Sequence, residues 1–364
     1  MSTALANVTE VAAMAAARSG QIEQERRIPA DLLDALSAAG CFRMLSPRLH
    51  GGDELPLPAV VRAVTELARA DAAVGWTVGQ HCSAQLLFAG FPAATVSEIY
   101  AAGPDVLGAG AVAPKGRARA AGDGWQVSGR WPFVTGCQWS EWIYGGCVAA
   151  DADGAPHVRL MLFRAQDVRI VDTWKVAGLR GTGSHDVIIQ GHCPAERSYP
   201  LPGGAGTAVT EHPRLLHGSF FLAAVSLGIA ERALADVLGM LAGGRDAARG
   251  EPQAGALGTA QMSLRAAGAL LSEEVGRAAR GVSSPIARAQ ALATAATITA
   301  AAKHVVSDLF ALAGSAAVYD TCALQRHLRD IHVAGQHLLN RPHTMEAVGT
   351  ALLAQARQAA PDGG

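Results

Sequence analysis

Residues 129–146, GRWPFVTGCQWSEWIYGG, carry the signal that decides the fold. Aromatic side chains crowd this stretch, although they make up only 5% of the 364 residues. Short alternating or β-branched runs surround it: WQVSGRW and WIYGGCVA at its ends, then HVRLMLF and DVIIQ. Period-two alternation broken by turn residues predicts strands. Turn signals such as Gly122–Gly124 and Asp151–Gly154 separate the runs, so the block from about Leu107 to Tyr199 is predicted to form an antiparallel barrel or sandwich.

Moving outward in either direction, the period becomes helical. Toward the N-terminus, ADLLDALSAAG repeats leucine at helical spacing and stops at Gly40, a C-cap residue. In AVVRAVTELARAD, residues Val60, Val61, Val64, Leu67 and Ala68 form one apolar stripe. A further helix is predicted from near Val74 through GWTVGQHCSAQLLFAG. Toward the C-terminus, past the linker YPLPGGAGTA, come three long helical segments and then LQRHLRDIHVAGQHLLNRPH, residues 324–343. Four long helices with short loops predict an up-and-down bundle.

Composition narrows the function. Half of the chain is hydrophobic, 17% is charged and the formal net charge is −1, so no global field favours nucleic acid or an anionic membrane. No apolar run reaches the roughly 18 residues of a membrane span, and the N-terminus does not resemble a secretory signal. Six scattered cysteines without a CxxC pair are expected to be free, buried thiols in a reducing, cytoplasmic setting.

The segment 324–343 holds four of the twelve histidines: His327, His332, His337 and His343. The first three are five residues apart, and successive members turn by about 140° around a helix. They cannot converge on one metal. The spacing predicts a core stripe of Leu324, Leu328, Ile331, Gly335 and Leu338, with Arg326, Asp330, Val333 and His337 on the opposite face, either solvated or, since Val333 interrupts it, partly buried against a cofactor or a neighbouring subunit. In the β segment, Trp131, Phe133, Trp139 and Trp142 are predicted to pack around Thr135 and Gly136. A threonine before glycine can present a hydroxyl and a free backbone N–H to a flat heteroaromatic ligand; an aromatic strand in a β core fits equally. His81, in an apolar helix, has the pattern of a satisfied core histidine. The turn GLRGTGSHDV, residues 178–187, lacks the helix and lysine of a phosphate-binding loop.

Five segments in order resemble the acyl-CoA dehydrogenase superfamily, and within it the two-component flavin-dependent monooxygenases. They are ADLLDALSAAGCFRMLSPRLHGG, RADAAVGWTVGQH, WPFVTGCQWSEW, GLRGTGSHDV and LQRHLRDIHVAGQH. The resemblance implies a mostly α, α+β fold: an N-terminal helical domain (1–106), a central antiparallel β-barrel domain (107–205) and a C-terminal four-helix bundle (206–364). It implies reduced FMN or FAD delivered by a separate reductase, O2 as co-substrate, and a homotetramer acting on a small organic substrate, aromatic or polyketide-like. His337 matches the histidine beside the flavin C4a-hydroperoxide, and His81 a second histidine that orients or deprotonates substrate. Thr135 matches a serine hydroxyl at flavin N5. Trp131, Phe133 and Gly136 are implied to line the ring, and Gly314 and Ser315 to bind flavin phosphates. Arg245, Arg249, Arg326 and Arg329 are the basic candidates for those phosphates.

One position separates the branches. Where many acyl-CoA dehydrogenases place their catalytic glutamate, this chain has Leu338, and an aliphatic side chain takes no proton. A dehydrogenase with a displaced base, and a non-redox cyclase or binding protein that has lost flavin, stand as the alternatives.

Overall fold

The computed structural model describes residues 3–150, 156–202, 213–243, 250–282, 284–341 and 344–359. The chain forms two compact units. The first comprises Met1–Leu55, Trp76–Val176 and Arg180–Gly218; the second comprises Pro56–Gly75, Ala177–Leu179 and Ser219–Gly364.

In the first unit, helices α1 (Thr3–Ala17), α2 (Ser19–Glu25) and α3 (Ala30–Ala38) precede α5 (Ala72–Phe88) and α6 (Ala93–Ile99). α3 ends as its sequence implies. Gly40 adopts φ +82°, and the Cys41 N–H donates to the Leu36 carbonyl, the left-handed exit that glycine accepts without strain. Seven strands follow: β1 (Gly108–Ala121), β2 (Gly124–Val134), β3 (Trp142–Ala150), β4 (Pro156–Arg164), β5 (Arg169–Val171), β6 (His185–Pro194) and β7 (Ser198–Pro200).

The sheet order is β5-β6-β2-β1-β3-β4-β7. This corrects the expected antiparallel barrel in two respects. Among the described residues the order runs from β5 to β7 without closing, so the sheet is open. β1 and β3 also pair parallel, with register breaks around Pro114, which has no N–H to give a ladder. Alternation reveals which residues share a face; it carries no information on which strand lies alongside, or in which direction.

The two faces of the sheet separate cleanly. Trp142, Tyr144, Leu160 and Leu162 pack with Leu87 and Phe88 of α5 in one cluster, while Ile143, Met161 and Phe163 join Trp131, Val127 and Ile189 in another. Neighbours on β3 and β4 thus point to opposite cores, as period two requires.

The second unit contains α4 (Leu57–Ala70), α7 (Pro213–Gly243), α8 (Gly250–Ala279), α9 (Pro285–Ala313), α10 (Ala323–Ala334) and α11 (Thr344–Ala359). All five residues of the α4 stripe are buried. α9 is central and packs against α8, α10 and α11. The fourth expected long helix is a correction: α10 has 12 residues, ends at Ala334, and is followed by a 3-10 turn at Leu338–Asn340. Among the described residues, no helix is long and apolar enough to cross a membrane.

Candidate active site

At the end of β2 the register with β6 shifts between Trp131 and Val134. Phe133 there adopts φ +63°, a conformation that a bulky residue keeps only when its surroundings impose it. The consequence is a split between two aromatics two positions apart. Phe133 is 69% exposed, with its ring edge-on to Trp174 at 6.0 Å. Trp131 is 1% exposed, and its indole N–H donates to the Gly146 carbonyl at 2.9 Å. A Cβ built on Gly116, Gly129 or Gly145 comes within 2.3–2.7 Å of the Trp131 ring, so three glycines make the slot for this side chain. Trp131 is therefore a core residue and not a wall of a flavin site, and Trp142 belongs to the opposite core cluster. Of the four expected aromatics, Phe133 and Trp139 remain near Thr135 and Gly136; Trp139 is 3.5 Å from a Cβ built on Gly136.

The Thr135 hydroxyl is held firmly. It accepts from the Trp76 indole N–H at 3.2 Å and lies 2.8 Å from the Ser184 hydroxyl, which is 2.7 Å from that of Thr182. The expected free backbone N–H is absent: that of Gly136 donates to the Thr182 carbonyl, and that of Thr135 to the Phe133 carbonyl. Thr77 is 5% exposed, and its hydroxyl has no partner among the described residues. It lines a small cavity with Phe42, His81, Leu107, Thr135 and Trp139.

His81 also lines that cavity, 3% exposed. Its Nδ1 accepts from the Gly108 N–H at 3.2 Å, so the hydrogen resides on Nε2, which donates to the Phe42 carbonyl at 2.9 Å. Burial pushes its pKa down to about 4, against the raising effect of these two bonds. Both ring nitrogens are engaged by backbone, which fits a satisfied core histidine and leaves no nitrogen to deprotonate a substrate.

In the second unit, α10 buries Leu324, His327, Asp330, Ile331 and Ala334. The core stripe is thus rotated from the expected one, and Leu338 is 47% exposed. Two polar groups cause the rotation. His327 Nε2 meets Asp236 at 2.8 Å, and the ring is buried. Asp330 accepts from the Leu179 N–H at 2.6 Å, while Arg329 donates to the Ala177 carbonyl and to Gln325. The Arg329 guanidinium is therefore spent on clamping the Ala177–Leu179 segment. Past α10, His337 caps the 3-10 turn, its Nδ1 accepting from the Leu339 N–H at 3.3 Å. Its ring is only partly accessible, and dense surroundings push its pKa down to about 4. The hydrogen is then on Nε2.

Gly314 and Ser315 are exposed where α9 ends, with Gly314 at φ +62°. Arg326 is half-buried, while Arg245, Arg249 and His343 lie outside the described residues. All six cysteines are free, and burial pushes Cys41, Cys137 and Cys147 up to about 12. A larger open cleft in the second unit, lined by Arg62, Glu66, Arg69 and Glu231, contains none of these site residues.

Comparison with known proteins fits this geometry. Residues 4–93 match the acyl-CoA dehydrogenase N-terminal domain and 220–342 the acyl-CoA dehydrogenase C-terminal domain. The FADH(2)-dependent resorcinol hydroxylase oxygenase component of Rhizobium sp. (strain MTP-10005) is 31% identical, covering 94% of this chain and 91% of that protein. This chain belongs to the flavin-dependent monooxygenases of the acyl-CoA dehydrogenase superfamily. Indole-3-acetate monooxygenase of Pseudomonas putida is 29% identical over 92% of this chain and 89% of that one. XiaF from Streptomyces sp., solved with FADH2 and glycerol, shares the fold at TM-score 0.88 and 22% identity, covering 96% of this chain and 95% of that one.

Sequence reasoning missed Trp76, Thr77, Thr182 and Ser184. Trp76 had a signal: it alone among the six tryptophans lies outside the β segment. Ser184 and Thr182 lie in the glycine-rich turn 178–187, where the sequence pattern speaks only to phosphate binding.

Proposed function

We propose that this monooxygenase is the oxygenase component of a two-component system. It inserts one oxygen atom from O2 into a small organic substrate, using reduced FMN or FAD from a separate reductase. The observation that carries the reading is the end of β2, where an outward Phe133 ring adjoins the fixed Thr135 hydroxyl. These groups, with the unpartnered Thr77 hydroxyl, suit a flat heterocycle with a polar edge. The relatives named for resorcinol and indole-3-acetate support an aromatic substrate.

Reduced flavin, when bound, supplies the electrons for O2 activation that no side chain here can supply. The chain contributes the rest. Phe133 and Gly136 position the ring, and Thr135 fixes its orientation through one hydroxyl. His337, neutral above about pH 4 and with hydrogen on Nε2, serves as proton donor to the developing oxygen anion. His81 acts as a positioning residue that joins Phe42 to Gly108. Gly314 and Ser315 take the flavin phosphates. The same reading keeps the division at 1–106, 107–205 and 206–364, a homotetramer and a cytoplasmic setting. No observation favours the dehydrogenase reading: an exposed Leu338 stands at the glutamate position.

The test is anaerobic binding of dithionite-reduced FMN and FAD, followed by mixing with aerated buffer and phenols or indoles. Tight binding of a reduced flavin and an oxygenated product are expected. Reduced flavin left unbound, with no product from any substrate, refutes the reading.

A further inference from the structure

The second unit carries a cleft of about 400 Å³ lined by α4, α7 and α8. A cavity of that size admits a small organic molecule. Its floor is apolar: Val61, Leu227, Leu271 and Val275 are all buried. Its walls carry charge of both signs. Arg62, Glu66 and Arg69 of α4 fall within about 60° of one another around the helix. Glu231 comes from α7. Among the described residues, none of these four side chains is in an ion pair or a hydrogen bond. Arg69 acts on Glu231 only through space. Glu231 is half-buried, and burial lifts its carboxyl against the lowering effect of Arg69. The fold thus partly desolvates a carboxylate without giving it a contact partner, a cost that a ligand cation would offset.

We propose that this cleft binds a zwitterionic amino acid with an apolar side chain. Two arginines and two glutamates give the walls no net charge, which matches a ligand carrying one charge of each sign. The ligand carboxylate meets Arg62 and Arg69, whose guanidinium groups offer paired donors. Its ammonium meets Glu231 and Glu66, and its side chain lies on the apolar floor. A plain carboxylate would face two glutamates and a plain amine two arginines, and each juxtaposed like charge costs affinity. Gly268 of α8 widens the cleft: a Cβ built there meets only the Leu227 side chain, at 3.8 Å. The inference stands apart from the flavin reading, because it uses none of the residues assigned to flavin.

The experiment is calorimetric titration of the full chain with L-phenylalanine, and with 3-phenylpropionate and phenethylamine, which lack its ammonium and its carboxylate respectively. Saturable binding of phenylalanine is expected, with each fragment weaker by about tenfold or more, the scale of one charged hydrogen bond. Arg69→Gln and Glu231→Gln leave the floor intact and should each weaken phenylalanine by about tenfold. Gly268→Leu adds a side chain that fills the cleft and should abolish binding. Thermal melts report whether each variant is folded; if Gly268→Leu unfolds, the two glutamine variants carry the test. Wild-type protein that does not bind phenylalanine overturns the inference. So do fragments that bind as tightly as phenylalanine, or binding unchanged in both glutamine variants or in folded Gly268→Leu. None of these outcomes bears on flavin binding, which is measured separately.

Discussion

His81 and His337 differ in what holds them, although burial pushes both to a pKa of about 4. His81 sits inside α5 with a backbone group on each ring nitrogen. His337 sits at the start of a one-turn 3-10 helix, partly accessible, and its Nδ1 accepts from the Leu339 N–H. A low pKa thus marks desolvation in both places and function in neither by itself. What separates the two is their setting: one is locked inside a helix between two backbone groups, and the other stands at a turn with its ring partly accessible.

The comparison breaks first at His337. His337→Ala should reduce oxygenated product per flavin oxidised by about 100-fold or more, the range for loss of a positioned acid. Flavin affinity should change little. The measurement is product yield against flavin consumed in single turnovers, and a variant that couples as well as wild type removes His337 from the chemistry.

His81 should give the converse. His81→Ala removes a buried ring and leaves the Gly108 N–H unpaired, an expected loss of about 3–4 kcal/mol in denaturant-measured stability. If this variant remains stable but loses activity, His81 touches substrate and the contrast collapses.

The contrast also explains what the sequence could disclose. The α4 stripe and the Gly40 exit were legible because each depends on residues a few positions apart, and local spacing sets helix faces. Phe133 and Thr135 became candidates through resemblance. Trp131 was not, because its slot is made by glycines on β1, β2 and β3, and only the sheet register brings these together. The α10 face was misjudged for the same reason. His327 and Asp330 are buried because Asp236 and the Leu179 N–H await them, 91 and 151 residues away. Polar residues counted as solvated by type were neutralised by partners that no helical period contains.

Acid stability sharpens the comparison. The pKa of His81 is 6.5 unfolded and about 4 folded, so between those values the unfolded chain binds the extra proton. Stability is complete above about pH 6.5 and is lost as pH falls toward 4, by about 3 kcal/mol for a residue this buried. His81→Gln can still bridge the two backbone groups but does not titrate. Its stability should vary less with pH across that window, and an unchanged slope assigns the acid loss elsewhere. His337 contributes with the same sign.

The smallest effect belongs to the third histidine. His327 is 7% exposed and shares Asp236 with Arg232. Burial alone lifts the Asp236 carboxyl, but the His327 hydrogen bond and charge, with Arg232, more than offset it and leave its pKa below the usual value. A depressed carboxyl stabilises above its unfolded pKa and loses that contribution as pH falls through the folded one. Asp236→Asn keeps a hydrogen-bonding amide of nearly the same shape, so it should cost about 1 kcal/mol at pH 7 and less below pH 4. Coupled oxygenation should be unchanged, measured as for His337. A loss of coupling in Asp236→Asn would mean that α10 transmits the His327 pair to His337 three residues past its end, and that the proton donor depends on a distant hydrogen-bonded pair.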